Sequence, residues 1–98
     1  MKSEIHAERE YAELFVITME ECAELIQILS KIQRFGLDQK NSEHLKQELG
    51  DVYCMVTGFI EAGLISEEEM WENSLKKVEK LKKFSDLFKD SSESLKKA

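Results

Sequence analysis

Residues 19–27 read MEECAELIQ, and residues 48–52 read ELGDV. The first stretch places Glu20, Glu21 and Glu24 among Ile17, Cys22, Leu25 and Ile28. Burying a carboxylate without a partner is costly, so acids within an apolar stripe need water or a positive group against them. A helix turns about 100° per residue. On that wheel Leu14, Thr18, Cys22, Leu25 and Leu29 form the centre of one face. Glu21 projects within the apolar arc between Ile28 and Leu14, and Glu24 lies on its flank beside Ile17. Glu21 and Glu24 are spaced i, i+3 and share a side. Glu20 points farther round, toward the polar side.

The second stretch repeats the pattern. Leu45, Leu49, Val52, Val56, Phe59 and Ile60 define an apolar face, with Glu48 inside it and Asp51 at its edge, again i, i+3. Gly50 and Gly58 lack side chains and are expected to permit close helix approach. If the two helices form an antiparallel hairpin, four carboxylates converge. Such a group repels itself unless a cation intervenes. Oxygen ligands alone point to Mg²⁺ or Mn²⁺ rather than zinc, and no E-x-x-H pair is present to suggest a di-iron bundle. A solvated acidic face is the alternative reading of either pair taken singly.

The rest of the chain supports an all-α fold. It has 98 residues, no proline and four glycines, so long helices meet few breaks. Three main helices are expected. The first runs from about Glu4 to Phe35 and ends at Gly36. The second starts with Asn41 or Ser42 as N-cap and runs to about Ala62, before Gly63. The third opens with the capping box Ser66-x-x-Glu69 and continues to about Phe84, with a seam of Met70, Leu75, Val78, Leu81 and Phe84. The run DVYCMVTGFI (51–60) is β-rich in composition, but its place in a glycine-bounded segment favours helix. One domain is expected over 1–85. A basic, Ser/Lys-rich tail follows over 86–98, as a short helix or without order.

A chain of this size buries about two-thirds of its unfolded surface, so its core is thin and oligomer formation is expected. Net charge is −6, which argues against a partner such as a nucleic-acid polymer. The charge is uneven: residues 1–62 hold six Lys/Arg against twelve Asp/Glu, and residues 73–98 hold eight Lys against four. Cys22 and Cys54 form no ligand cluster and are expected as small buried thiols. No apolar signal segment and no membrane-length apolar run is evident, so the expected location is cytoplasmic, with no membrane partner.

The acids and their context together resemble the MazG-like all-α nucleoside triphosphate pyrophosphohydrolases. That family's motif is E-E-x-x-E, a spacer, then E-x-x-D. Here it reads Glu20-Glu21-x-x-Glu24, 23 residues, then Glu48-x-x-Asp51. SKIQRFG, LKQELGDVYCMV and KKVEKLKKFS are similar to short stand-alone members, and the resemblance covers about residues 14–85. It implies hydrolysis of a nucleoside triphosphate between the α- and β-phosphates, giving a monophosphate and pyrophosphate. It implies Mg²⁺ held by Glu21, Glu24, Glu48 and Asp51, with Glu20 in a supporting role. It implies a four-helix-type core completed in a homodimer or homotetramer.

Lys77 and Lys80 match the family-like KxxKL stretch and are candidate phosphate contacts. Lys31 and Arg34, beyond the first acidic pair, are further candidates. Each of these cations is otherwise an exposed helix charge. Trp71, Tyr53 and Phe35 are expected in the core rather than against a base. Two alternatives stand beside this reading. One is a phosphoribosyl-ATP pyrophosphohydrolase-type enzyme of the same superfamily. The other is a non-catalytic helical module that uses Lys76, Lys77, Lys80, Lys82 and Lys83 to hold an acidic partner. Dimeric dUTPase-type relatives are usually longer.

Overall fold

The computed structural model describes residues 2–88, and every regular element among them is helical. They are α1 (Lys2–Phe35), α2 (Gln39–Glu61) and α3 (Glu67–Phe84). The chain divides into two compact units, one through Leu64 and one from Ile65. The first is an antiparallel hairpin of α1 and α2.

The turn of the hairpin is built from polar caps. Gly36 adopts φ 95° and donates its N–H to Ile32 O at 2.7 Å. Asp38 caps α2, accepting from the Asn41 N–H at 2.8 Å. Asn41 itself is buried, and its Nδ2 donates to Gly36 O at 3.0 Å. The helix therefore begins before Asn41 and Ser42, the expected caps. Asn41 serves the carbonyl end of α1 instead. The far end of α2 closes in a Schellman turn: Leu64 N–H donates to Phe59 O and Gly63 N–H to Ile60 O. Gly63 takes φ 77°, a conformation that costs residues with a Cβ more than glycine.

Three contacts hold the open end together. Tyr11 Oη donates to Ala62 O at 3.3 Å. Phe15 and Phe59 stack with ring centroids 5.7 Å apart. At Gly58 an added Cβ would stand 3.0 Å from Leu14 Cδ1, so glycine permits the close approach there. Gly50, expected to do the same, has nothing within 4 Å of where a Cβ would stand.

The face of α1 that turns inward runs through Tyr11, Leu14, Ile17, Thr18, Glu21, Leu25, Ile28 and Ile32, all at least partly buried. Ile28 is 1% exposed. This corrects the expected centre: Cys22 and Leu29 lie outside it, exposed. Phe15, Met19, Cys22, Ile26 and Leu29 form a second, exposed stripe spaced 4-3-4-3, about 100° from the first. On α2, Leu49 is likewise exposed rather than inward. Both thiols, expected buried, are exposed. So are Phe35, Tyr53 and Trp71, expected in the core.

The second unit carries α3. Its capping box is present as expected: Glu69 N–H donates to Ser66 Oγ at 3.1 Å, and Ser66 N–H donates to Glu69 Oε1 at 3.0 Å. Glu67, Glu68 and Glu69 in the first turn and Lys82 and Lys83 in the last suit the helix dipole. Met70, Leu75, Val78 and Leu81 form its less exposed seam. Phe84 departs from it, at 83% exposed. The expected tail, 86–98, lies outside the described residues beyond a turn at 86–88.

Candidate metal centre

Midway along the hairpin the two acidic pairs meet. Glu21, Glu24, Glu48 and Asp51 each offer a carboxylate oxygen, and these oxygens lie within 4.8 Å of one another. The antiparallel pairing brings this about, since both i, i+3 pairs sit on the inward side of their helices at the same level. Glu48 is buried at 8% exposed, Glu21 is partly buried, and Glu24 and Asp51 stand at the open edge. Glu20 is exposed and outside the cluster.

The two inner acids are under electrostatic pressure. Burial, first, raises the Glu21 carboxyl above the ordinary range, and the charges of Glu24, Asp51 and Glu48 raise it further. Burial also leads in raising Glu48, followed by the charges of Glu24 and Asp51. His44 acts against that rise. Its Nε2 lies 3.3 Å from Glu48 Oε1. Two oxygens, Glu21 Oε2 and Glu48 Oε2, are buried with no hydrogen-bond partner. Such atoms are rare in folded chains and call for an explanation.

A hard divalent cation accounts for all of this. It prefers oxygen ligands and neutralises converging carboxylates. It would also satisfy the two unbonded oxygens. The residues present fit Mg²⁺ or Mn²⁺, and they lack the sulfur and imidazole ligands that mark structural zinc sites.

Beside the acids, Glu24, Gln27, Ile28, Lys31, Arg34 and His44 line a cleft. Lys31 and Arg34, two of the four candidate phosphate contacts, thus share a wall with one of the acids. Arg34 Nε donates to Ser30 O at 3.4 Å, and its guanidinium lies 5.3 Å from the centre of the Phe35 ring. Lys77 and Lys80 stand exposed on α3, in the other unit. His44 is the residue that sequence reading missed. Its signal was the i, i+4 spacing to Glu48, which puts a donor one turn from a half-starved acid.

The sequence pattern of the MazG nucleotide pyrophosphohydrolase domain matches residues 9–84. Comparison with curated proteins and with solved structures gave no significant match. The matched span takes in α2, α3 up to its last residue, and most of α1, with both acidic pairs. The chain belongs to the MazG nucleotide pyrophosphohydrolase family.

Proposed function

We propose that the protein is a Mg²⁺-dependent pyrophosphohydrolase that converts a nucleoside or deoxynucleoside triphosphate to the monophosphate and pyrophosphate. The observation that carries this reading is the convergence of four carboxylates, two with buried unbonded oxygens, in a chain of this family. Glu21, Glu24, Glu48 and Asp51 would hold Mg²⁺, or Mn²⁺ in its place. The ion supplies charge neutralisation for the phosphates and a more acidic water at neutral pH.

The chain's own residues then position the reactants. Lys31 and Arg34, lining the cleft with Glu24, contact the phosphate oxygens. Lys77 and Lys80, the other two candidates, stand exposed on α3 in the second unit and are kept as candidates for phosphate contact on their sequence match alone. Glu20, next to Glu21 in the chain but exposed outside the cluster, is given only a supporting role, on a ligand or a water. Water attacks in line, and the bond between the α- and β-phosphates breaks. Positioning and charge neutralisation supply most of the rate in this class of reaction.

The site works, in this reading, within a homodimer or homotetramer. Met19 and Ile26 on α1 are 63% and 66% exposed, within a stripe of heptad spacing. Over residues 11–88 Ile28 and Val78 are the only buried apolar side chains. A second subunit against that stripe would complete a four-helix core. No helix among the described residues is long and apolar enough to cross a membrane, and a cytoplasmic location is proposed with the function. A panel of NTPs and dNTPs, assayed with Mg²⁺ and with EDTA, tests the reading. Release of orthophosphate in place of pyrophosphate contradicts it.

A further inference from the structure

His44 precedes Glu48 by one turn of α2, with its Nε2 3.3 Å from Glu48 Oε1. An ionised carboxylate oxygen only accepts, so a hydrogen bond across this pair requires the proton on Nε2. The contact occupies one oxygen of Glu48. The other, Oε2, is buried and unbonded. A Glu carboxylate otherwise turns broadly about its last torsion. Pinning Oε1 therefore fixes the plane of the group and decides which oxygen remains open.

We infer that His44 is a positioning residue, whose Nε2–H holds Glu48 Oε1 so that Oε2 is presented to the cation. The inference rests on the metal site proposed above and goes beyond it, because His44 lies outside the four acids and outside their motif. Its place in the fold suits such a role. The side chain is 49% exposed, so the packing of the hairpin does not depend on it. It also lines the cleft beside Glu24, Lys31 and Arg34, at the boundary between the acids and the proposed phosphate contacts. Outer partners that orient a metal ligand are worth about 10- to 100-fold in metal affinity.

The test is a calorimetric titration of the full chain with Mn²⁺ at neutral pH, on wild type, His44→Ala and His44→Gln. Metal-free melts of each confirm the fold. His44→Ala is expected to bind Mn²⁺ about 10-fold more weakly or worse. His44→Gln keeps an N–H donor that reaches an acid at i, i+4, and should recover most of the loss. A His44→Ala chain that binds as tightly as wild type overturns the inference. So does a His44→Gln chain as weak as His44→Ala, because the effect would then not run through the donated hydrogen bond. A wild-type chain that binds no Mn²⁺ overturns the metal reading itself, which separates that failure from this one.

Discussion

Glu21 on α1 and Glu48 on α2 meet across the hairpin, each with one buried carboxylate oxygen that nothing hydrogen-bonds. A fold stabilised only by its own contacts has no use for that pairing. Both carboxyls are raised by burial and by their acidic neighbours. The site is therefore strained toward a cation or a proton.

Replacing one of these acids should separate function from stability. Glu48→Gln keeps the shape and the acceptor for His44 but removes a charge and a ligand. Metal-dependent turnover is expected to fall by at least about 10- to 100-fold, since a direct ligand counts no less than an outer partner. The metal-free variant is expected to melt above wild type, because a repelling charge is gone. Undiminished turnover in a folded variant would remove Glu48 from the site.

The same pressure sets a pH dependence. Glu21 and Glu48 bind a proton more tightly folded than unfolded. Their protonation stabilises the fold below the ordinary carboxylate range, and that contribution is lost as pH rises through the raised values. Without metal, the melting temperature should be higher at about pH 5 than at about pH 8. Mg²⁺ at 100 times its Kd should restore about 2.7 kcal/mol at neutral pH. Thermal melts across pH, with Mg²⁺ and with EDTA, check both. A metal-free melting temperature that climbs from pH 5 to 8 would contradict this.

The exposed stripe on α1 predicts a change of assembly. Ile26→Glu puts a charge within the stripe of Phe15, Met19, Cys22, Ile26 and Leu29, at a residue that also lines the cleft beside Lys31 and Arg34. Light scattering should find wild type as a dimer or larger and Ile26→Glu shifted toward monomer. A monomeric wild type would refute the proposed assembly.

Gly58 gives a packing prediction. Even a single Cβ there would stand 3.0 Å from Leu14 Cδ1, and valine adds two further methyl groups. Gly58→Val should destabilise the chain by about 1–3 kcal/mol through overpacking, measured by denaturant unfolding.

Much of this was legible in the sequence, for identifiable reasons. The three helices followed from the absence of proline and from glycines near helix ends. The Ser66–Glu69 box and the two acid pairs were visible because each is a local spacing. The inward face of α1 was misplaced for a physical reason. Two apolar stripes about 100° apart, one inward and one exposed, average to a direction through Thr18, Cys22 and Leu29. Periodicity finds that average, whereas only the partner helix selects between the stripes. The start of α2 was misplaced because Asp38, Asn41 and Ser42 are all capping types, and Asn41 was claimed by Gly36 O across the loop. His44 was missed because its i, i+4 spacing to Glu48 is also the spacing of an ordinary exposed helix pair.

The products of turnover decide the proposed reaction most directly. Phosphorus NMR of a dNTP panel incubated with the protein and Mg²⁺ should show pyrophosphate and monophosphate growing together, with no turnover once EDTA is added. Orthophosphate with a diphosphate, or a panel left intact despite Mg²⁺, would contradict it.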